Sequence, residues 1–449
     1  MEEDKQWVLE MTAKLHSYDP VQEPMAWKNR SIYMVPSNLI EPSKRHAYSP
    51  QMVSFGPYHH GRPHLIPMED HKQRTLLHVL HRTSIPLQAI IDSVKQVEPQ
   101  LRNQYDDQAS LPDSAGAFLK MMVVDGFFML EILRTAEKVP SDYTANDPIF
   151  SWHGMLYVLP YVKRDMLMLE NQIPLLVLDR LVAAETRKPK SEDGYVHKLV
   201  ADFFSLNIEA TKAPGSGLGL HVLDVYRKGR IEGPVRLHRS VDGKKQSVVV
   251  RSVTELYEAG VRFTKSKTNS LKDIEFRHGV LSLPWIMLDD TSESSLLNLL
   301  AFERLHVGAG IEVSAYVSFM DEIIDTDKDV ALLQKKGIIL NALGSDKAVA
   351  KLFNELSRDV TIDPNSKLGE VYRALGAYSL QKTNVWRANL IHTYFRSPWA
   401  FLSLLAAIVL LGLTIAQTVY SALSYYVSLN QNNSSPPPPS LSAPPPSRF

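Results

Sequence analysis

Histidines and carboxylates concentrate near the start of the chain, and these residue types could support chemistry. His59 and His60 stand directly after Gly56 and Pro57. Imidazole exchanges protons near neutral pH and can act as an acid or a base. An enzyme of unrecognised type that uses His59 and His60 is therefore one hypothesis. The acids that could assist are Glu69, Asp70 and Asp125.

A metal site is a second interpretation of the same region. His78 and His81 share a helix face, with His71 two turns back. No metal-binding motif such as H-E-x-x-H is present, and no carboxylate stands at the sequence spacing from these histidines that is usual in metal sites. We therefore predict no metal and no cofactor. The structural alternative is that Tyr58, His59 and His60 form a turn after Gly56 and Pro57 and hydrogen-bond through both nitrogens of each imidazole.

The composition excludes several classes of function. The chain has 449 residues, 49 basic against 49 acidic, and no cysteine. The missing cysteines exclude disulfide scaffolds, thiol nucleophiles and thiolate metal sites. The balanced charge argues against a nucleic-acid partner. No P-loop, G-x-S-x-G elbow or kinase motif is present.

Helical periodicity dominates the first half. Residues 117–135 are apolar almost all round and predict a central helix. A second helix is predicted from Leu87 to Val97, with Ser84 as its cap and Pro86 in its first turn. A helical stretch is expected to end near residues 169–173, and Pro174 to begin the next helix. Asn171 and Gln172 are expected to hydrogen-bond buried backbone at that break.

Strand signals occur only between residues 234 and 290. Four short segments bounded by glycine, proline and aspartate predict a small antiparallel sheet inserted into a mainly α fold. These segments are Val261 to Lys265, Asp273 to Phe276, Val280 to Leu283 and Trp285 to Leu288. Asp325, Asp327 and Asp329 alternate as in a calcium loop, but Val330 and Lys336 break that pattern. We interpret them as a turn that caps a helix beginning near Asp329.

The segment from Trp399 to Leu423 has no charged residue and predicts one transmembrane helix. Basic residues precede it, and Arg448 is the one charged residue after it. The positive-inside rule then places residues 1–396 in the cytosol and the tail outside. We expect a tail-anchored protein in the lipid bilayer of the plasma membrane, with an endomembrane as the alternative. Gly412 and Ala416, four apart, predict a homodimer through the anchor.

The C-terminal tail, residues 427–449, is rich in serine and proline and is expected to be disordered. It contains two acceptor patterns for N-glycosylation, at Asn432 and Asn433. These asparagines can be modified only if the tail is luminal, and an unmodified spacer is the alternative.

Ordered motifs along the chain together resemble one family. They are Ile32-Tyr33-Met34-Val35-Pro36, Val53-Ser54-Phe55-Gly56-Pro57-Tyr58-His59-His60-Gly61, Met68-Glu69 with Lys72, Val124-Asp125-Gly126-Phe127-Phe128, Leu169-Glu170-Asn171-Gln172-Ile173-Pro174 and Asn298-Leu299 with Ala301-Phe302-Glu303. The set is similar to the plant domain of unknown function 247 (DUF 247) family, also known as the UPF 0481 family. The resemblance covers about residues 31–420.

The resemblance implies a land-plant, single-pass membrane protein with a cytosolic helical domain and no known reaction. It leaves the motif residues Gly56 to His60, Asp125 and Glu170 to Gln172 without an assigned role. Some members are similar to self-incompatibility determinants of grasses, which implies recognition or signalling through protein contacts. The expected organisation is a variable segment (1–30), a helical domain (31–396), the anchor (399–423) and the tail.

Two hypotheses of function follow. The first is a membrane-anchored, non-catalytic interaction protein with an unknown protein partner. The alternative is the enzyme of unrecognised type that uses the region around His59 and His60.

Overall fold

The structure is a computed structural model that describes residues 2–18, 27, 29–137, 142–188, 194–206, 218–232, 251–356, 366–390 and 398–432. The chain divides into two compact units. The larger consists of Met1–Tyr257 and Val261–Tyr378, and the smaller of Glu258–Gly260 and Ser379–Phe449. Most of the tail predicted to be disordered, residues 433–449, lies outside the described residues. This range includes the predicted glycosylation site Asn433.

The described residues are mainly helical, as the sequence predicts. The helices before the first strand are α1 (Glu2–Ser17), α2 (Ile66–Thr83), α3 (Leu87–Lys95), α4 (Glu98–Arg102), α5 (Ala115–Arg134), α6 (Trp152–Tyr157), α7 (Leu159–Asp165), α8 (Leu175–Thr186), α9 (Tyr195–Phe203), α10 (Val222–Ile231) and α11 (Val253–Glu258). The later ones are α12 (Ser292–Leu305), α13 (Glu312–Ile323), α14 (Asp327–Lys335), α15 (Asp346–Leu356), α16 (Lys367–Ser379), α17 (Lys382–Leu390) and α18 (Pro398–Asn432).

Helix α5 is the central helix of the larger unit, which confirms the prediction from its apolar composition. Every residue from Phe118 to Leu133 is buried except Lys120, which is exposed. Ser114 caps the helix, because its Oγ accepts a hydrogen bond from the amide of Ala117. Helices α2, α3, α8 and α9 pack around α5. A helix that is apolar on every side is stable in water only when it is covered in this way.

Several predicted helix ends are wrong by a few residues. Ser84 does not cap α3; it ends α2 in the left-handed conformation, with φ 51°. Pro86 lies one residue before α3, which stops at Lys95. Helix α7 stops at Asp165, earlier than predicted, and Pro174 lies directly before α8, as expected. Residues 166–174 between these helices form the irregular segment that Asn171 and Gln172 stabilise.

The predicted antiparallel sheet is only partly correct. The strands are β1 (Arg262–Lys265), β2 (Glu275–Arg277), β3 (Val280–Leu283), β4 (Ile286–Leu288) and β5 (Ile339–Asn341). Strands β2 and β3 form an antiparallel hairpin, as predicted. Its turn residues His278 and Gly279 both have positive φ, which suits a two-residue hairpin turn. Strand β1, however, pairs with β3 in parallel, and β4 pairs in parallel with the distant β5.

The helices that follow β4 form a second packed group. Helix α13 contacts α12, α15 and α10, and α14 contacts α15. The predicted turn near Asp329 is a capping box, in which the Thr326 and Asp329 side chains hydrogen-bond each other's backbone amides. The helix begins at Asp327, two residues before the predicted start. Asp329 also accepts from the amide and hydroxyl of Thr254, which ties α14 to α11.

The smaller unit contains α17 and α18. Helix α18 begins at Pro398 and ends at Asn432, so it is longer than the predicted span, which ends at Leu423. Residues 427–432 are helical, although the sequence predicts that they belong to the tail. Thr414 and Thr418 donate their hydroxyl hydrogens to the carbonyls of Leu410 and Thr414, both at 2.8 Å. These bonds lower the cost of placing threonine in an apolar environment.

Candidate functional site

Several family-motif residues, together with Asp165, surround one backbone segment, residues 51–56, of which residues 53–56 are buried. Asp165, at the end of α7, accepts from the amide groups of Gln51, Met52 and Val53 at 3.0, 2.7 and 3.0 Å. Its side chain is fully buried, and burial raises its pKa while the three amides act in the opposite direction. Asp165 therefore satisfies three backbone donors that lie outside regular secondary structure.

Asn171 and Gln172 continue this pattern, and they confirm the prediction that they bond buried backbone. Asn171 accepts from the amide of Phe55 at 2.7 Å and donates to the carbonyls of Val53 and Asp165, both at 3.0 Å. Gln172 donates to two carbonyls of the irregular segment after α7, those of Met166 and Met168. Each amide side chain replaces bonds that a helix or a sheet would supply.

Lys72 and Asp125 form a buried ion pair beside the same segment. The Lys72 ammonium on α2 lies 2.7 Å from Oδ1 of Asp125 on α5 and 2.6 Å from Oε1 of Glu69. It also donates to the carbonyl of Ser54 at 2.5 Å. Oδ2 of Asp125 accepts from the amide of Gly56 at 2.8 Å. Burial raises the pKa of Asp125, whereas the Lys72 ammonium opposes this shift.

Gly56 is required where this segment meets residue 172. Its φ is 74°, a conformation that favours glycine. An added Cβ would lie 2.6 Å from the carbonyl oxygen of Gln172 and 2.9 Å from the hydroxyl of Tyr105. Tyr105 donates to that same carbonyl at 3.1 Å. The glycine therefore allows a close backbone approach.

The predicted turn after Gly56 and Pro57 is present, since the amide of His60 donates to the carbonyl of Pro57. His59 is fully buried, and its Nε2 lies 3.1 Å from Oε2 of Glu170 but out of line for a hydrogen bond. Its Nδ1 has no hydrogen-bond partner among the described residues, so the expected two-ended bonding is wrong for His59. Burial lowers the pKa of His59, which favours a neutral ring.

Tyr58 and Glu170 tie the turn to the start of the domain. The Tyr58 hydroxyl donates to the carbonyl of Ile32 at 3.3 Å and accepts from the amide of Asp107 at 3.0 Å. Glu170 accepts from the amide of Val35 at 2.8 Å. These contacts join segments that are distant in the chain.

The residues proposed above for an enzyme converge only in part. Glu69 and Asp125 meet at Lys72, whereas His59 contacts Glu170 instead and Asp70 is exposed. His60 is more exposed, with Nδ1 3.9 Å from Oε2 of Glu69. None of these side chains lines the cavity of about 900 Å³ found elsewhere in the larger unit. Within the described ranges, no three histidine and carboxylate groups are placed to hold a metal ion.

The arrangement thus binds the chain's own backbone. Asp125, Asp165 and Asn171 direct their oxygens at amide groups of residues 51–56, and the Lys72 ammonium binds the Ser54 carbonyl. Such interactions hold an irregular segment in one conformation because unpaired buried amides cost free energy. Among the motif residues, Lys72, Asp125 and Asn171 therefore hold this segment in place.

An exposed aromatic surface on α6 and α7 was missed in the sequence. It consists of Trp152, Leu156, Tyr157 and Tyr161, and we call it the aromatic surface. The side chains of Trp152 and Tyr157 are 78% and 63% exposed. Residues 152–162 contain no charged residue, which resembles a buried helix when judged by composition alone. The signal that could have revealed it is the high proportion of tryptophan and tyrosine, residues frequent in interfaces.

Helix α18 is the one described helix that is long and apolar enough to cross a membrane, and the matching stretch is Leu402–Leu429. None of the side chains from Leu402 to Leu429 is buried within the structure. A helix of 28 residues rises about 42 Å at about 1.5 Å per residue, more than a hydrocarbon core of about 30 Å requires.

Comparison with known proteins gives one consistent similarity. Residues 32–413 match DUF247, described as "Plant protein of unknown function". The UPF0481 protein At3g47200 of Arabidopsis thaliana is 28% identical over 423 residues, which cover 88% of this chain and 86% of that protein. The putative UPF0481 protein At3g02645 of the same plant is 23% identical over 483 residues, which cover 86% of this chain and 89% of that protein. No solved structure matches the chain.

Proposed function

The chain belongs to the plant protein family DUF247, and we propose that it is a membrane-anchored, non-catalytic protein that binds a protein partner through the aromatic surface. The observation that carries this proposal is an uncharged run of helix with exposed Trp152, Leu156, Tyr157 and Tyr161. Tryptophan and tyrosine dominate the energetic centres of protein interfaces, whereas charged residues are depleted there.

A protein partner fits this surface better than a lipid headgroup layer does. Surfaces that bind anionic bilayers combine aromatic side chains with exposed lysine and arginine. The aromatic surface has no cation between residues 152 and 162. The next cations, Lys163 and Arg164, are largely buried. Hydrophobic contact with a complementary apolar protein surface is the remaining source of affinity.

The anchor supports a location at a membrane. Helix α18 meets the length and composition of a single span. Lys382 and Arg387 precede it, and Arg448 is the one charge that follows. By the positive-inside rule, residues 1–396 face the cytosol and the tail lies outside, with the plasma membrane as the compartment. The partner then binds at the cytosolic side.

A photo-crosslinking experiment tests the partner surface. The photoreactive residue benzoylphenylalanine replaces Tyr157 in the full-length chain in plant membranes. The same residue at Tyr257, a tyrosine on α11 that is also exposed, is the matched control. We expect a discrete protein adduct from position 157 that is absent from position 257 and lost when Trp152→Ser is added. Equal adducts from both positions, or lipid adducts alone from position 157, would contradict the proposal.

The topology is tested separately by protease protection of sealed microsomes. Tags are placed at both ends of the chain. We expect the N-terminal tag to be digested from the cytosolic face and the C-terminal tag to be protected. The reverse pattern would overturn the orientation, and extraction of both tags by alkaline carbonate would overturn the anchor.

A further inference from the structure

A cavity of about 900 Å³ opens in the larger unit, away from the buried motif residues. Its wall includes Lys163 and Arg164 of α7, and Trp285 directly before β4. Phe204 and Tyr226 add further aromatic surface. The volume lies within the roughly 300–1,000 Å³ that is usual for small-molecule sites, and apolar walls with a few polar groups are typical of them.

Arg164 brings an incompletely neutralised cation to this wall. Its side chain is 7% exposed, and Nη2 donates to the carbonyl of His46 at 2.7 Å. Nη1 is buried and has no hydrogen-bond partner among the described residues. The nearest acid is Asp165, at 3.8 Å, and its carboxylate is occupied by the amides of residues 51–53. Burial lowers the pKa of Arg164, as expected for a cation without sufficient compensation.

Lys163 adds a second cation beside it. Its Nζ donates to the carbonyl of Phe203 at 3.1 Å and lies 5.1 Å from the ring centroids of Phe203 and Phe204. An ammonium group has three hydrogens to donate, so the carbonyl leaves two of them. No carboxylate of the described residues lies within ion-pair distance of it. Burial lowers the pKa of Lys163, and the charge of Asp289 opposes that shift.

The acids in the cavity wall do not neutralise these cations by contact. Asp289 accepts from the amide and hydroxyl of Thr291 and from the hydroxyl of Ser292, and so holds the start of α12. Glu232 forms no ion pair with Lys163 or Arg164, and burial raises its pKa, which disfavours its charged form. The cavity therefore has one buried cation, Arg164, and one partly buried cation, Lys163, beside aromatic walls.

We infer that this cavity binds a small organic anion, with a carboxylate or phosphate group on Lys163 and Arg164 and an aromatic or apolar body against Phe204, Tyr226 and Trp285. An oxyanion supplies the acceptor that Nη1 of Arg164 lacks and places a second negative charge beside both cations. Arginine suits this role because its planar group can bind an oxyanion through two parallel hydrogen bonds. The inference is independent of the partner-binding proposal, since it concerns different residues.

Equilibrium dialysis of the full-length chain in lipid nanodiscs tests the inference, with empty nanodiscs as background. The probes are 1-naphthyl phosphate and 1-naphthoate, which carry the two oxyanions, and 1-naphthol, which carries none. We expect saturable binding of at least one oxyanion probe, with 1-naphthol at least about tenfold weaker. Equal binding of 1-naphthol, or no saturable binding of either anion at millimolar concentration, would overturn the inference.

Variants locate the bound probe. Arg164→Met and Lys163→Met remove one charge each and keep most of the side-chain length. Arg45→Met removes an exposed arginine and is the matched control. We expect at least about a tenfold loss of affinity in either cavity variant and less than about a twofold change in the control. Should Arg164→Met not fold because the His46 carbonyl loses its donor, Lys163→Met decides alone. Unchanged affinity in Lys163→Met would contradict the inference.

Discussion

At the residue scale, Lys72 and Asp125 of the family motifs are buried, as is Asp165 of α7, and all three bind backbone. Lys72, Asp125 and Asp165 are each at most 1% exposed, and every one contacts residues 51–56. Removing a charge from water costs several kcal/mol, about 20 kcal/mol in the idealised limit, so such groups persist only when well paired. Lys72 pairs with Asp125, and all three charged groups bind residues 51–56 from three different helices, α2, α5 and α7. If one of them is removed, its partners stay buried without compensation.

Lys72→Met is expected to lower the free energy of unfolding by about 3–5 kcal/mol, because the Asp125 charge then stays buried without its partner. Adding Asp125→Asn should recover part of that loss, since the amide oxygen can still accept from Gly56. Chemical unfolding followed by near-ultraviolet circular dichroism measures both. Lys95→Met, at an exposed lysine of α3, is the control and should have little effect. A double variant no more stable than Lys72→Met would contradict the role of the unpaired charge.

His221 is expected to make stability fall in acid. Asp224 donates its amide to Nδ1 and Nε2 lies 3.0 Å from the Ser31 carbonyl, so the ring is neutral with its hydrogen on Nε2. Burial lowers its pKa to about 4, below the ordinary 6.5, although the Asp224 charge opposes this. Between these values the unfolded chain binds more protons, so stability decreases as the pH falls from about 6.5 to about 4.

Protonation of His221 alone is expected to lower the free energy of unfolding by up to about 3 kcal/mol over this pH range. The measurement compares unfolding of the wild type and His221→Gln at pH 7 and pH 4.5. The variant cannot take up a proton, so it should lose less stability on acidification than the wild type. Equal losses in the two proteins would show that other groups, such as His59 and His197, cause the acid sensitivity; burial also lowers their pKa values.

At the element scale, α5 and α8 pack closely against each other at Gly126. Gly126 lies in the middle of α5, where glycine is unfavourable for a helix by about 1 kcal/mol. An added Cβ would lie 2.5 Å from Cδ1 of Leu181 and 3.0 Å from Cγ1 of Val177, both on α8. The glycine therefore permits a close approach of the two helices, and close packing offsets its poor propensity.

Gly126→Val is expected to destabilise the protein by about 1–3 kcal/mol, because the larger side chain overpacks this contact. Gly116→Val in the same helix is the matched control, since its added Cβ would meet only Ser114 Oγ, at 3.6 Å. The control should change stability by less than about 1 kcal/mol. Denaturant unfolding of both variants gives the comparison. A stabilised Gly126→Val variant would show that α8 moves aside without cost.

At the scale of the whole molecule, a helical unit with its own core is followed by a unit whose main element is the apolar helix α18. Gly412 has no other atom within 4 Å of an added Cβ, so its small surface is open along the helix. Small residues four apart let two membrane helices approach closely. Gly412 and Ala416 provide this spacing in α18.

Gly412→Ile combined with Ala416→Ile is expected to weaken self-association of the anchor in membranes. Resonance energy transfer between two labelled full-length copies measures it. Leu405→Ile with Val409→Ile, also four apart on α18 and also exposed, is the control. Undiminished transfer in the glycine and alanine variant would exclude a dimer through this pair.

The accuracy of the sequence predictions depends on how far apart in the chain the interacting residues lie. The central helix, the antiparallel pairing of β2 with β3 and the presence of one apolar C-terminal helix depend on consecutive residues, and all three were predicted correctly. The C-terminal helix is longer than the predicted span, because residues 427–432 continue it. The parallel partner of β4 was not predicted, because β5 has three residues and no pattern of its own. The aromatic surface was missed because apolar composition does not distinguish an exposed helix from a buried one.

The sequence alone determined where the chain is helical, where it is long and apolar enough to span a membrane, and which family it resembles. Only the tertiary structure decided what the motif residues do. Asn171 meets Phe55, 116 positions away in the chain, and Lys72 meets Asp125, 53 positions away. Local propensity contains no information on such pairs, because their geometry depends on how whole helices pack around α5. The same packing places Lys163 and Arg164 beside Trp285 in one cavity.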